Sequence, residues 1–339
     1  MENITIKVLA KRLNLSATTI SKALKNSYEI SEPTKQKVFQ LAAELNYTPN
    51  VYAGSLRTKK SLTVGVVIPE VTDNFFAEAI NGIEAVAQEK GYHVLVYLTH
   101  ENYEREKAML KEFKGGRVDG VLLSVTSETK DSTHIKQLMD ENIPVVFFDR
   151  ACDDVTTAKI ITNDFESGYN ATLHLIDNGC VQPAILLVSQ NLSISNERLE
   201  GYKQALKVNH LKFKESYVLM CDERSNSFAA IKKLLQHKKR PDGIICSVDK
   251  LTIPVYLACK DLKLSIPADV KVISFSNNPS AVILNPSLSA IVQPAYEMGK
   301  AAATALFKAL SKKKIELTDE SQIISSSLVQ RDSTYNHNK

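Results

Sequence analysis

The segment 5–25, TIKVLAKRLNLSATTISKALK, decides the fold of the amino-terminal region. Its apolar residues recur at helical spacing on both sides of Asn14, and a third helical stretch follows at 31–45. Thr5 and Ser16 stand where the first two helices would begin, and Asn14 tolerates the left-handed backbone of a sharp turn. Two short, tightly joined helices with hydroxyls and lysines on the second predict a helix-turn-helix fold that reads duplex DNA.

The second predicted helix has an apolar face and a polar face. Ile20 and Leu24 lie four residues apart and are expected to pack on apolar residues of the other two helices. Short hydroxyls on the polar face suit phosphate oxygens, and a lysine can reach a guanine edge. The candidate DNA contacts here are Thr5, Ser16, Ala17, Thr18, Thr19, Ser21, Lys22, Lys25 and Ser31. The alternative is a small three-helix domain whose polar face is merely solvated.

Positive charge is concentrated in the same region. Residues 1–60 contain ten Lys or Arg and four Asp or Glu, whereas residues 61–339 contain 32 and 34. A local positive patch on a nearly neutral body is typical of phosphate binding. It makes a membrane surface or an acidic protein a less economical partner than DNA.

Length and composition limit the class of the whole chain. Its 339 residues suit about two or three domains, and 44% apolar with 24% charged residues is typical of a globular protein. Five cysteines without a Cys-x-x-Cys pair favour buried free thiols in a reducing cytosol. No apolar signal segment precedes the helical region, and no apolar run approaches the roughly eighteen residues that span a bilayer. We therefore expect a cytoplasmic protein.

After residue 62 the pattern changes to apolar strands that alternate with helices. The expected strands are 62–68, 92–98, 118–123 and 143–148, then 184–188, 243–246 and 270–275. Such alternation favours parallel sheets covered on both faces, and two series predict two doubly wound α/β lobes. Ligands of such sheets collect beyond the carboxyl ends of the strands, so two facing lobes would offer a cleft.

Polar and aromatic residues follow several of these strands where a ligand is expected. Carboxylates and guanidinium groups can hydrogen-bond small polar groups, and aromatic faces can stack on a sugar ring or nucleobase. Taken singly, each such residue is more often a helix cap or a surface ion pair. The candidate ligand contacts are Asp73, Phe75, Phe76, Ser124, Asp149, Arg198, Asp249 and Ser276.

Ordered motifs in the amino-terminal region resemble the DNA-binding head of the lactose-repressor/galactose-repressor (LacI/GalR) family. They are Thr5-Ile6-Lys7, Leu15-Ser16-x-x-Thr19-Ile20-Ser21-Lys22, Ile30-Ser31-Glu32-x-Thr34, Leu45-x-Tyr47-x-Pro49-Asn50 and Ser55-Leu56-Arg57-Thr58. The resemblance implies a homodimer on a pseudo-palindromic operator. It also implies a hinge helix at about 50–56 that folds on DNA, with Leu56 as a minor-groove wedge and Arg57 as a further contact.

The rest of the chain resembles the effector domain of the same family. Motifs that carry this include Asp73-Asn74-Phe75-Phe76-Ala77, Val118-Asp119-Gly120, Asp149-Arg150, Asp164-x-x-x-Gly168, Arg198-x-x-Gly201-Tyr202 and Gln293-Pro294-x-x-x-Met298-Gly299. The resemblance implies the two-lobed sugar-binding fold of periplasmic binding proteins, with three crossovers between lobes. It also implies a small polar effector, such as a sugar or a related metabolite, with Arg198 as its main contact.

The resemblance sets the expected domain boundaries. A helix-turn-helix head occupies 1–48, a hinge and linker 49–61, an effector-binding and dimerisation domain 62–332, and a polar tail 333–339. Within the effector domain, the N-lobe spans about 62–160 plus 292–318, and the C-lobe spans about 161–291 plus 319–332. The tail has no heptad pattern, so we expect a dimer rather than a tetramer.

Some residues depart from the family pattern. Lys22 replaces an arginine and cannot make its bidentate guanine contact, Lys25 replaces an asparagine, and Gly54 replaces an arginine in the hinge. In the effector domain, Ser276 replaces an aspartate and Val248 an asparagine. A sugar specificity known in a relative is therefore not simply inherited.

Two other classes of protein are less well supported. The lobes alone would suit a solute-binding protein for transport, but the basic head and the missing signal segment argue against it. An enzyme is disfavoured because the chain has no phosphate-loop, dinucleotide-binding, serine-elbow or zinc-protease motif. The seven histidines show no metal-ligand spacing, and we predict neither a metal nor a cofactor.

Overall fold

The computed structural model describes residues 4–47, 60–72, 74–221, 226–311 and 316–335. The chain divides into two compact units, 1–61 and 62–339, which are considered separately. The predicted hinge helix, with Gly54, Leu56 and Arg57, lies outside the described residues, as does Asp73.

The first unit contains the three predicted helices. They are α1 (Ile6–Leu13), α2 (Ala17–Leu24) and α3 (Glu32–Glu44). Leu9, Ile20 and Val38, one from each helix, are completely buried and form the centre of its core. The apolar spacing on α2 therefore predicts its packing correctly.

The caps of the first two helices differ from each other. Asn14 ends α1 in the left-handed conformation, with φ of 52°, as its residue type predicts. Ser16 caps α2, because its hydroxyl accepts a hydrogen bond from the backbone N–H of Thr19 at 3.0 Å. Thr5 stands at the N-cap of α1, but its hydroxyl accepts no hydrogen bond from a backbone N–H of that helix.

The second unit contains two six-stranded sheets, one in each lobe, which confirms the predicted doubly wound architecture. The N-lobe sheet has the order β11-β5-β4-β3-β1-β2 and is entirely parallel. Its strands are β1 (Thr63–Ile68), β2 (His93–Leu98), β3 (Gly120–Leu123), β4 (Val145–Phe148), β5 (Lys159–Thr162) and β11 (Gln322–Ile324). Its helices are α4 (Asn74–Glu89), α5 (Tyr103–Phe113), α6 (Thr133–Asp140) and α11 (Ala295–Ser311).

The C-lobe sheet has the order β12-β10-β9-β8-β6-β7, in which only β12 is antiparallel to its neighbour. Its strands are β6 (Pro183–Leu187), β7 (Val218–Met220), β8 (Gly243–Cys246), β9 (Lys271–Phe275), β10 (Ser289–Val292) and β12 (Ser327–Val329). Its helices are α7 (Asp164–Asp177), α8 (Ser193–Val208), α9 (Ser227–Gln236) and α10 (Thr252–Asp261). Among the described helices, none combines the length and apolar character needed to cross a bilayer.

The chain passes between the lobes three times, after β5, after β10 and after β11. The prediction that residues 319–332 lie wholly in the C-lobe is wrong for β11. Residues 322–324 pair in parallel register with Ile160, Ile161 and Thr162, so they complete the N-lobe sheet. The third crossing therefore falls between β11 and β12.

The expected polar tail is also wrong for its first two residues. Ser333 and Thr334 are completely buried. The Ser333 hydroxyl donates to the Val272 carbonyl at 2.6 Å, and Thr334 lies 2.8 Å from Nε2 of His174. These polar side chains are buried because the interior of the C-lobe supplies their hydrogen-bond partners.

Helices α7 and α8 approach closely through two glycines. A Cβ atom on Gly168 would lie 2.3 Å from the Arg198 carbonyl oxygen, and one on Gly201 would lie 2.1 Å from the Phe165 carbonyl oxygen. Only a residue without a Cβ fits at such contacts. The two glycines of the sequence motifs thus place the backbone of Arg198 directly against α7.

Replacing Gly168 with alanine should force the two helices apart. We expect a loss of about 1–3 kcal/mol in the free energy of unfolding, as is typical of overpacking. Urea denaturation of the full chain followed by circular dichroism measures it. Gly115→Ala is the matched control, because its Cβ would meet no atom closer than 3.5 Å. Equal stability of the two variants would contradict the close packing.

Candidate functional site

The described DNA-contact candidates lie on the outside of the head. Six of the nine are exposed, and Thr19, Ser21 and Lys22 are half-buried. The hydroxyl of Ser16 lies 2.8 Å from that of Thr19, and the hydroxyl of Ser31 lies 2.9 Å from that of Thr34. These four hydroxyls are oriented at the beginnings of α2 and α3. They lie at the surface of the head, where they can hydrogen-bond phosphate oxygens.

Lys22 is not a free cation in the head. Its ammonium group forms an ion pair with Glu29, a residue of the loop between α2 and α3. The sequence alone predicts that Lys22 can reach a guanine edge and indicates no role for Glu29. Their spacing of seven residues spans the end of a helix and a loop, so no helical pairing rule identifies the contact.

A cleft between the two lobes brings together most of the predicted ligand contacts. Phe75, Phe76, Asp149, Arg198, Asp249 and Ser276 all line it. Ser124 stands behind this surface, completely buried, and donates to Asp149 at 3.3 Å. The other lining residues are Arg150, Ile194, Val248, Phe275, Asn277 and Gln293. The strand-end rule therefore predicts where these residues converge.

Arg198 is fixed in the cleft by three contacts. Its Nε donates to Asp164 Oδ1 at 2.8 Å, and its Nη1 donates to the Ser247 carbonyl. Its guanidinium carbon lies 3.9 Å from the centre of the Phe275 ring, an arrangement favourable to both groups. Nη2 is 2.7 Å from Asp164 Oδ1 but makes no hydrogen bond within the described part of the chain. Nη2 is itself buried, so the guanidinium group is held against Asp164 at the wall of the cleft.

Arg150 and Glu101 form a second buried ion pair beside the cleft. Nη1 of Arg150 donates to the two carboxylate oxygens of Glu101 at 2.8 and 3.0 Å, and the Ser127 N–H donates to Glu101 at 2.7 Å. Burial raises the pKa of Glu101, but Arg150, the Ser127 N–H and Lys250 outweigh it, so the pKa is lowered overall. Neither partner is among the predicted site residues, although Glu101 follows β2 where the strand-end rule applies.

Asp149 has an unusual backbone conformation. Its φ of 61° lies in the left-handed region, which a non-glycine residue adopts at a cost. This conformation directs the residue after β4 into the cleft, where its carboxylate accepts the Ser124 hydroxyl. A strained residue at a strand end is typical of a functional site.

Asp249 and Ser276 are bonded to each other. The Ser276 hydroxyl donates to Asp249 Oδ1, and the Asn278 amide donates to Oδ2 at 3.3 Å. The serine that replaces the aspartate of the family pattern therefore orients the carboxylate of Asp249. The sequence predicts both residues as ligand contacts but not the hydrogen bond between them.

The two lobes are linked beside the cleft through Asn277. Its amide donates to Glu78 of the N-lobe at 2.8 Å and to the Gln293 carbonyl at 2.7 Å. The Asn74 amide of the N-lobe donates to the Asn277 carbonyl at 2.8 Å. A residue adjacent to Ser276 thus contacts both lobes, which couples the site to their relative position.

The polar and aromatic groups of the cleft suit the binding of a small polar molecule. Among the residues described by the structure, no group of three or more His, Cys, Asp or Glu side chains is placed to hold a metal ion. Oriented carboxylates, guanidinium donors and three phenylalanine rings can surround a small polar ring.

Two families match the chain. "Bacterial regulatory proteins, lacI family" matches residues 5–50, and "Periplasmic binding proteins and sugar binding domain of LacI family" matches residues 61–332. Together with the head and the cleft, these matches define a DNA-binding transcriptional regulator that carries its own ligand-binding domain. The chain belongs to the LacI family of bacterial regulatory proteins.

Similar proteins agree with this classification. The "Probable HTH-type transcriptional repressor ExuR" of Bacillus subtilis (strain 168) is 33% identical over 91% of this chain and 92% of its own. The "HTH-type transcriptional repressor PurR" of Vibrio vulnificus (strain CMCP6) is 30% identical to this chain. The match covers 91% of this chain and 92% of that protein. A solved lac repressor dimer, bound to operator and the anti-inducer ONPF, has the same fold, with a TM-score of 0.86, 22% identity and coverage of 99% and 100%.

Family membership confirms several predictions. The protein is a LacI-type transcriptional repressor and not an enzyme. Because such a regulator acts on bacterial chromosomal DNA, the expected cytoplasmic location also follows.

The lowered pKa of Glu101 predicts how acid affects stability. The stabilisation from the pair with Arg150 is present above the ordinary glutamate pKa of 4.5 and is lost as the pH falls through the lowered pKa. Glu101→Gln should therefore cost about 3 kcal/mol at pH 7, and progressively less as the pH falls through the lowered pKa of Glu101. Thermal unfolding across this pH range measures the difference. Glu104→Gln, whose side chain is exposed, is the control, and a penalty independent of pH would contradict the assignment.

Proposed function

We propose that the protein is a homodimer that binds a pseudo-palindromic operator and is controlled allosterically by a small polar ligand, a sugar or a sugar derivative. The observation that carries this proposal is the convergence of Arg198, Asp149 and Asp249 in one cleft between the lobes. The ligand would be held there by side chains from both sheets.

The arrangement of donors and acceptors favours a polyhydroxylated ligand. Arg198 contributes a buried guanidinium group to the lining of the cleft, while Asp149 and Asp249 offer carboxylate oxygens that accept hydroxyl protons. Phe75 and Phe76, whose rings pack edge to face at 5.3 Å, and Phe275 supply apolar surface for the faces of a ring. The family description, which includes a sugar-binding domain, agrees with this chemistry.

Control of DNA binding would follow from the position of the ligand. A ligand changes an equilibrium only when it binds one arrangement better than the other. Asn277 joins the lobes directly beside Ser276, so a ligand at Ser276 acts on a contact that depends on lobe position. A coupling of about 1–3 kcal/mol would change operator affinity roughly 5–150-fold.

DNA binding itself is assigned to the polar surface of the head. Thr5, the exposed residues of α2 and Ser31 would position the head on the phosphates, with base contacts from α2. The hinge residues Leu56 and Arg57 remain predicted contacts in the minor groove.

An exposed apolar surface supports the homodimer. Ile253 and Leu257 on α10 are 51% and 49% exposed, and Val282 and Ile283 after β9 are 58% and 79% exposed. The hydroxyl of Tyr256 donates to the Pro286 carbonyl at 2.9 Å, so these two segments are neighbours. Apolar surface shared by adjacent segments is typical of an interface, and a second copy is the occupant we propose.

Placing a charge in this surface tests the homodimer. Ile283→Asp should shift the full chain from dimer to monomer in sedimentation velocity, because a carboxylate would be buried without a partner. Val181→Asp is the matched control, since Val181 is 61% exposed but lies outside this surface. A dimer that persists in Ile283→Asp would contradict this interface.

Operator binding and its control by ligand can be tested together. The full chain should bind duplex DNA from upstream of its own gene, with an affinity that falls steeply as salt rises. A thermal-shift screen of mono- and disaccharides, sugar phosphates and nucleosides identifies the ligand. Arg198→Ala should abolish the effect of that ligand on DNA affinity and leave DNA affinity itself nearly unchanged.

A second substitution guards against misfolding of the arginine variant. Asp249→Asn keeps the size of the half-buried side chain and removes its charge, so it should weaken the ligand response without unfolding the lobe. An undiminished response in both variants would show that the ligand binds elsewhere. A chain that binds no upstream duplex at low salt would refute the function as a whole.

A further inference from the structure

The ion pair between Lys22 and Glu29 lies on the surface that the proposed function assigns to DNA. Lys22 projects from the outward side of α2, in the same turn as Ser21. The side chains of Lys22 and Glu29 are 40% and 46% exposed, so both are accessible to a ligand. Glu29 is one of only four acidic residues among the first sixty of the chain.

The loop after α2 holds Glu29 close to the helix. Asn26 adopts the left-handed conformation with φ of 54°, and the Ser27 N–H donates to the Lys22 carbonyl at 3.0 Å, which turns the chain back. The Glu29 N–H also contacts the Ser27 hydroxyl at 3.4 Å. The backbone therefore returns Glu29 to the helix face that carries Lys22.

Stability of the head does not explain this pair. An exposed ion pair contributes only about 0–1 kcal/mol, because water and salt screen it. The pair also affects DNA binding, because it occupies the charge of Lys22. Each lysine that meets a phosphate releases a condensed counterion, whereas a lysine neutralised by a carboxylate releases none.

We propose that Glu29 is a specificity-determining residue that acts through Lys22. On DNA of arbitrary sequence the pair stays closed, so Lys22 contributes nothing to phosphate binding. On the operator a fixed acceptor at a base edge, such as guanine O6 or N7, replaces the carboxylate and opens the pair. The pair thus suppresses nonspecific affinity more than operator affinity, which raises the ratio between them. This inference rests on the proposed DNA-binding function.

The test compares nonspecific binding by the full chain and by Glu29→Gln. Fluorescence anisotropy with a random-sequence 30-bp duplex is recorded over a series of salt concentrations. Freeing Lys22 should steepen the slope of log K against log salt by up to about 0.9 per head and tighten binding by up to about 5-fold per head near 0.1 M salt, the factor that corresponds to a pair of about 1 kcal/mol. Binding to the upstream duplex should tighten less, so the specificity ratio should fall.

Two variants show whether the effect passes through Lys22. Glu44→Gln makes the same change of charge at the end of α3, where Glu44 accepts a hydrogen bond from Gln40 at 3.0 Å, and it should leave the slope unchanged. In a Lys22→Met background, Glu29→Gln should no longer steepen the slope, because no lysine is released.

The possible outcomes are distinct. Equal slopes for the unsubstituted chain and Glu29→Gln would overturn this inference and leave the proposed function intact. A steeper slope that persists with Lys22→Met, or that also appears with Glu44→Gln, would mean that charge alone is responsible and would likewise overturn it. Failure of the unsubstituted chain to bind either duplex would refute the proposed function, and the inference with it.

Discussion

The buried ion pair between Arg198 and Asp164 is the interaction on which the ligand-binding unit depends. Asp164 begins α7 immediately after the chain leaves β5 of the N-lobe, and Arg198 projects from α8 of the C-lobe. The pair therefore fixes the first crossing between lobes and orients the principal donor of the cleft. Removing one partner of a buried pair costs about 3–5 kcal/mol, because the other charge is left without compensation. Gly168 and Gly201 let the two helices approach closely enough for the pair to form.

The two proposed binding surfaces use paired charges in different ways. In the cleft, Arg198 has its own carboxylate and is held rigidly in an almost water-free setting. Such an arginine adds oriented hydrogen bonds for a ligand without adding net charge. In the head, Lys22 and Glu29 are partly exposed, so their pair opens at low cost. Burial thus determines whether an ion pair fixes a side chain in one position or can be replaced by a contact with a ligand.

Much of the fold and the position of the cleft could be predicted from the sequence. The spacing of Leu9, Ile20 and Val38 predicts the packing of the head, because a helix repeats its faces at a fixed period. Alternation of apolar strands and helices predicts the two parallel sheets, and their strand ends converge because parallel strands share a direction. Asp149 is predicted in this way, whereas Arg198 lies on a helix and its role is implied by the resemblance to the LacI/GalR family.

The remaining features depend on contacts between distant segments. The hydrogen bond between Asp249 and Ser276 joins residues 27 apart, and the pairing of Arg150 with Glu101 joins residues 49 apart. No local period relates such positions, so the sequence indicates that they are polar but not which partner each one has. The sequence does not predict the burial of Ser333 for the same reason, since its partners lie on β9 and β10.

The last strands of both sheets come from the end of the chain. β11 completes the N-lobe sheet and β12 the C-lobe sheet, although these strands are separated by only a few residues and follow every other strand in the sequence. During translation, neither lobe can acquire this edge strand until residues 322–329 have emerged from the ribosome. A nascent polypeptide that stalls before residue 322 would lack one edge strand in each lobe, so the folding of both lobes depends on synthesis of this one segment.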